Sequence, residues 1–235
     1  MVADTEHTNP QQNVTFPSNG GEAHGYLALP PSGAGPGVIV IQEWWGLTSH
    51  IGAIADRLAG KGFVALAPDL YGGATTHDAD EAGALMQALP LASAARDLGG
   101  AVDFVLSRPE TTSSTVGAIG FCMGGRFVLT LAAQEGERVS AAVPFYPVGP
   151  DLPDLSGIEA AVQMHIGSSD AFMPVDAARG VADKVRSESK VTPQVHEYPA
   201  GHAFVNDENL LGTYDPEHAA VAWGRAVDFL KEHVR

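Results

Sequence analysis

Cysteine is almost missing from this chain: one residue, Cys122, in 235. A single thiol excludes an internal disulfide and a thiolate-rich metal site, and it suits a reducing, cytoplasmic setting. Basic residues are scarce too. Lys and Arg total 13 against 28 Asp and Glu, a formal charge of −15. Such a surface repels phosphate backbones and anionic lipid, so neither nucleic acid nor membrane is expected as a partner. No apolar run approaches the roughly 18 residues of a membrane span. The nine histidines include no H-E-x-x-H or other close ligand spacing, and no metal site is expected. The opening "MVADTEHTNPQQN" has no basic residue before an apolar segment and does not read as a secretory signal. Its polarity predicts a loose tail over residues 1–12, ahead of a single domain over 13–235.

What is present is apolar mass and alternation. Hydrophobic residues make up 45% of the chain, enough for a sizeable core. "VTF" and "GYLALP", separated by "PSNGGEAH", read as an antiparallel hairpin. "GVIVIQE", "FVALAPD" and "VGAIGFC" are β-branched or apolar runs of the kind buried on both faces of a parallel sheet. "AAVPFYP", "AAVQMHIGSSD" and "TPQVHEYPAGH" supply three more strands. Helical patterns fall between them: residues 49–60, about 80–89, about 93–107 beyond Pro90, 123–134, about 175–187 and about 216–233. The final one places Ala219, Trp223, Ala226, Leu230 and Val234 on one face. This order predicts an α/β fold: a mostly parallel, doubly wound sheet of about eight strands, opened by an antiparallel hairpin, with helices on both faces.

In such sheets chemistry gathers beyond the carboxyl ends of the strands, where Glu43, Cys122, Asp170 and His202 fall. Gly120-Phe121-Cys122-Met123-Gly124 has the form of a nucleophile elbow, with cysteine in the usual place of serine. The glycines let a strand turn sharply into a helix, and the helix N-terminus directs free N–H groups, that of Met123 above all, at the exposed side chain. Asp170 and His202 follow in the order acid, then histidine, separated by about 48 and 32 residues. His202 would be the base and Asp170 would fix its tautomer. The Trp44 N–H is the natural second oxyanion donor. A Glu43 carboxylate facing Cys122 would raise the thiol pKa and slow its oxidation.

Each residue also has a plainer reading: Cys122 as a small core hydrophobe, Asp170 as a turn cap, His202 as a loop histidine, Glu43 as a surface carboxylate. His165 lies inside a strand run and reads as a core histidine. His24, His50, His196, His218 and His233 have no companion motif.

"QEWWG", "APDLYGG", "GFCMGGR", "GSSD" and "PAGHAF" together resemble the dienelactone hydrolase family of the α/β-hydrolase fold, from about Val14 onward. The resemblance implies a Cys122–His202–Asp170 triad that hydrolyses a lactone or ester through a thioester. It implies that Glu43 pairs with the resting thiol and takes its proton when substrate arrives. It implies no metal and no organic cofactor.

The family's best-known members hold a substrate carboxylate with arginines. Here "YGGATTHDADEAGALMQALPLASA" has none, and "HAFVND" offers Asn206. An aromatic pocket wall of Trp44, Tyr71, Tyr146, Phe172 and Phe204 is expected instead, with a preference for neutral or hydrophobic small-molecule esters or lactones. The other reading is a ligand-binding or thiol-sensing protein without turnover. Monomer and homodimer stay open.

Overall fold

The computed structural model describes residues 9, 11–18, 20–148 and 152–235. Eight strands form one sheet in the order β1-β2-β4-β3-β5-β6-β7-β8. β1 (Val14–Ser18) and β2 (Gly21–Ala28) pair antiparallel, and β2 runs antiparallel to β4 (Val64–Pro68). All later pairings are parallel: β3 (Gly35–Ile41) with β4 and β5 (Thr111–Phe121), then β6 (Val139–Phe145), β7 (Ala161–Gly167) and β8 (Gln194–Tyr198). Val38 to Ile41 and all of Val64 to Ala67 are fully buried, which is why these runs lack polar alternation.

The helices are α1 (Ser49–Ala59), α2 (Ala79–Ala88), α3 (Leu91–Ser107), α4 (Met123–Glu135), α5 (Val175–Glu188) and α6 (Pro216–His233). β5 shows how they divide between the faces. A Cβ on Gly117 would meet Leu230 and Val234 near the end of α6, whereas one on Gly120 would meet α4 at Gly124 and Val128. Positions of opposite parity on a strand point to opposite faces, so α4 and α6 flank the sheet. Arg57 of α1 lies 4.0 Å over the Trp223 ring, setting α1 beside α6.

Chain direction across the sheet reverses at β3, whose two neighbours are β4 and β5. The crevice beyond the carboxyl ends of β3 and β5 is the expected site of such a fold. Glu43 and Cys122 stand on its two sides.

Three expectations need correction. The hairpin strands reach further than the apolar runs: Pro17 pairs with Glu22 and Ser18 with Gly21. An edge strand tolerates Pro17, and Gly20 at φ +79° precedes β2; Asn19 lies outside the described residues. The tail does not run loose to residue 12. Asn9 Nδ2 donates to Leu47 O at 2.9 Å and Gln12 Nε2 to Asp69 Oδ2 at 2.7 Å, both buried; residues 1–8 and 10 lie outside the described residues. The buried stripe of α6 is Ala222, Ala226, Val227, Phe229 and Leu230, with Ala219 and Trp223 only partly covered. Among the described residues no helix is long and apolar enough to cross a membrane.

Candidate active site

Cys122 follows the last residue of β5 and caps α4 with φ 56°, ψ −119°. A non-glycine residue pays strain at positive φ. Here the surroundings fix it: Cys122 N donates to Phe145 O, while Gly125 N and Val148 N both donate to Cys122 O. The flanking glycines are required by contact. A Cβ on Gly124 would come within 2.3 Å of Ile41 O and 2.4 Å of Gln42 O, and one on Gly120 within 2.4 Å of Gly124 O. The close approach of α4 to the end of β3 is what brings the turn after β3 to the thiol.

Cys122 is 5% exposed. Burial, then the neighbouring Glu43 carboxylate, pushes the thiol far above its ordinary value. Hydrogen bonds to the sulfur from the backbone N–H groups of Met123 and Trp44 pull the other way. The two donors expected from the elbow and from the β3 turn therefore converge on Sγ.

Asp170 and His202 meet as expected, although they come from separate loops, after β7 and β8. His202 Nδ1 lies 2.7 Å from Asp170 Oδ2, with both side chains nearly inaccessible. Asp170 Oδ1 accepts from Phe172 N and Met173 N, each at 2.8 Å, so the carboxylate is fixed by backbone as well as by histidine. Nδ1–H donation to Asp170 leaves Nε2 as the basic atom. That atom is buried and has no hydrogen-bond partner among the described residues. Tyr146 and Phe172 hold the ring between them, their centroids 4.9 and 5.0 Å away, and Thr213 Oγ1 donates to His202 O.

Glu43, 1% exposed, is no surface carboxylate. Tyr146 OH donates to its Oε1 at 3.3 Å and Asn206 Nδ2 to its Oε2 at 2.5 Å. Burial raises its carboxyl above the usual range; His50, the Asn206 hydrogen bond, His202 and Tyr146 draw it back.

The expected wall divides into three parts. Trp44 and Phe172 meet edge to face at 6.2 Å, and Phe172 is the most exposed of the set at 55%. Tyr71 is half-buried; its OH donates to Met123 Sδ at 3.4 Å, and burial together with Cys122 raises its hydroxyl. Tyr146 and Phe204 are fully buried. Tyr146 reaches Glu43, but Phe204 packs behind it, 5.7 Å from Tyr146 and 5.0 Å from Tyr198, and does not line an open surface.

Sequence reasoning passed over several supporting residues. Gln42 Oε1 accepts from Leu70 N, and Asp69 accepts from Tyr71 N and Gly73 N. These two side chains explain the polar letters of "QEWWG" and "APDLYGG": Gln42 ties the end of β3, ahead of Trp44, to the loop that carries Tyr71, and Asp69 holds that loop in shape from within. Tyr146 as a donor to Glu43 was legible from its place just past β6; Asn206 and His50 gave no local signal. His165 is a satisfied core histidine, bound to Tyr198 OH and Gln163 Oε1. Among the described residues no three His, Cys, Asp or Glu side chains cluster as metal ligands. Arg126 is buried near the Phe127 ring at 5.7 Å, and Arg96 is on the surface with Ser93.

The dienelactone hydrolase family model matches residues 23–234. Protein usf of Aquifex pyrophilus is 37% identical over 95% of this chain and 99% of its own. A carboxymethylenebutenolidase of Pseudomonas sp. strain P51 is 28% identical over 90% of this chain and 91% of its own. The crystal structure of a dienelactone hydrolase-like promiscuous phosphotriesterase from metagenomic libraries superposes with a TM-score of 0.82 at 29% identity, covering 94% of this chain and 97% of that one. The chain thus has the α/β-hydrolase fold and belongs to the dienelactone hydrolase family, hydrolases that act on ester bonds.

Proposed function

We propose that this hydrolase works through Cys122, which attacks the carbonyl carbon of a lactone or ester to form a thioester. As substrate displaces the Glu43 carboxylate, the S–H proton passes to Glu43 and the sulfur becomes the nucleophile. The tetrahedral oxyanion is held by the Met123 and Trp44 N–H groups. Collapse breaks the acyl–oxygen bond, opening the ring or releasing an alcohol, which takes the proton held by Glu43. His202 Nε2, oriented by Asp170, then removes a proton from water as the hydroxide adds to the thioester; the C–S bond breaks, the carboxylic acid leaves, and the sulfur takes the proton from His202 to return as the thiol.

The observation that carries this reading is the convergence on one sulfur of two backbone donors and a buried carboxylate, at a strained turn preceding a helix. Enforced neutrality weighs against a thiol sensor, which needs an accessible, acidic cysteine. The charges bearing on the sulfur are the carboxylates Glu43 and Asp170. That field, with Trp44, Tyr71 and Phe172 alongside, favours neutral or hydrophobic acyl groups over carboxylated lactones. The lone thiol supports a reducing, cytoplasmic setting.

The test is hydrolysis by Cys122→Ala and His202→Ala against a panel of neutral esters, neutral lactones and carboxylated lactones, with folding followed by circular dichroism. Both variants should stay folded and lose turnover. Activity retained in Cys122→Ala removes the proposed nucleophile, and turnover confined to carboxylated lactones removes the proposed preference.

A further inference from the structure

A second cavity, of about 120 Å³, lies between α1, α6 and the loop that follows His202. Neither Cys122, Asp170, His202 nor Glu43 lines it. Its floor is apolar and buried: Ile54 of α1, Phe145 at the end of β6 and Val205 of the loop. Ala219 and Trp223 of α6, both only partly covered, form one wall. Arg57, Asp207 and Tyr214 stand at the exposed rim.

Arg57 is the informative residue. Its guanidinium carbon lies 4.0 Å over the Trp223 ring, so one face of the cation is set against indole. Stacking leaves the N–H edge available, and a stacked guanidinium can still take a carboxylate through two parallel hydrogen bonds. Among the described residues no carboxylate forms an ion pair with it and no acceptor takes its N–H groups. Asp207 shares the rim without reaching it; its Oδ1 faces His50 Nδ1 at 2.8 Å. Asp215, at the start of α6, is engaged by the backbone N–H and the ring of His218.

We propose that this cavity is a binding site for a short-chain aliphatic monocarboxylate, its carboxylate on the N–H edge of Arg57 and its hydrocarbon tail over Ile54, Phe145, Val205 and Trp223. Size sets the tail: an apolar cavity of roughly 150 Å³ holds a benzene-sized guest, so this one suits a chain of about four carbons. Charge sets the head. One cation without an ion-pair partner matches one negative group, and Asp207 on the same rim disfavours a second. The formal charge of −15 gives no diffuse attraction for anions, so the guest depends on this local pairing and its affinity falls with added salt. Asn206, which donates to Glu43 Oε2, sits between the lining residues Val205 and Asp207, so one loop residue separates this site from the active site. The proposal does not depend on the chemistry at Cys122.

The experiment is titration of the ¹⁵N-labelled protein with sodium butyrate, followed by amide and indole N–H shifts, with the Trp223 indole assigned through W223F. Butyramide, of the same shape without the charge, is the control ligand. Thermal melts establish folding of R57Q, R57K and A219L. Butyrate should shift the Trp223 indole and the amides of Arg57, Asp207 and Ala219 together along one saturable curve. Butyramide should bind more weakly by on the order of tenfold or more, and R57Q should weaken butyrate by a similar factor. R57K keeps the charge but not the planar fork and should fall between. A219L puts a larger side chain against the tail and should abolish binding with Arg57 intact. Shifts confined to Trp44 and Met123 would mean that butyrate occupies only the active site and would overturn the proposal. So would equal affinity for butyramide, or wild-type affinity in R57Q. Should R57Q not fold, the butyramide comparison and A219L decide the matter, and wild-type affinity in A219L overturns the proposal equally.

Discussion

Gly124→Ala isolates the close approach that assembles the site. The added Cβ would lie 2.3 Å from Ile41 O, 2.4 Å from Gln42 O and 2.8 Å from Ile41 C, all backbone atoms that cannot rotate aside. Real Cβ contacts stay above 3.0 Å, so the first turn of α4 and the end of β3 must separate by about 0.7 Å or more. That gap is where the Met123 and Trp44 N–H groups converge on Sγ. Overpacking of this kind costs about 1–3 kcal/mol. For a chain of this length that lowers the Tm by roughly 2–12 °C. Displacing one oxyanion donor costs about 10²–10³ in kcat, with less effect on KM because the contact strengthens only in the transition state. Steady-state hydrolysis of a chromogenic aryl acetate and a thermal melt measure both quantities. Wild-type kcat together with wild-type Tm would refute the reasoning, since neither the contact nor its connection to the oxyanion site would then exist.

Asp170→Asn should leave the loop intact, because the amide oxygen still accepts from Phe172 and Met173, but it presents the wrong partner to His202 Nδ1; kcat should fall by about 10³–10⁴ with little change in Tm. A loss below tenfold would show that Asp170 only shapes the turn. Glu43→Gln should stabilise the fold at neutral pH. The folded carboxyl titrates above its unfolded value, so its contribution is greatest below about pH 4.3 and is lost as pH rises through the folded value. The Tm of the variant should therefore gain on wild type as pH rises from 4 toward 8; parallel curves would contradict the buried, raised carboxyl. Tyr146→Phe removes a donor to the Glu43 carboxylate and should speed alkylation of Cys122, though by less than Glu43→Gln does, and an unchanged rate would show that the 3.3 Å contact is idle.

The strands that position the site were readable because each is a continuous apolar run with a functional residue at or just past its end. Cys122 stood out through Gly120 and Gly124, whose necessity is steric and local. Asp170 and His202 were legible from order along the chain, since the fold brings the loops after β7 and β8 together whatever lies between. The partners of Glu43 were not. Asn206 drew notice only as the absence of an arginine, and its role follows from a contact spanning 163 residues. His50 and Asp207 form a pair that no spacing announces. Asn9 and Gln12 read as tail because their hydrogen bonds, to Leu47 and Asp69, replace the apolar contacts that sequence patterns detect. Phe204 was misread for a related reason: an aromatic near the histidine suggests a wall, but only packing reveals that Tyr146 stands in front of it.

The central claim is that Cys122 carries the acyl group. Its most direct test is intact-mass spectrometry of the enzyme quenched during turnover of slow activated esters and lactones, comparing wild type with Cys122→Ser. The account predicts an adduct of the acyl mass on the peptide containing Cys122 in wild type, cleaved by hydroxylamine at neutral pH as a thioester should be. In Cys122→Ser any adduct should be an oxygen ester that resists the same treatment. Turnover in wild type with no adduct on Cys122 under any quench, or an adduct on another side chain that persists in Cys122→Ala, would contradict it.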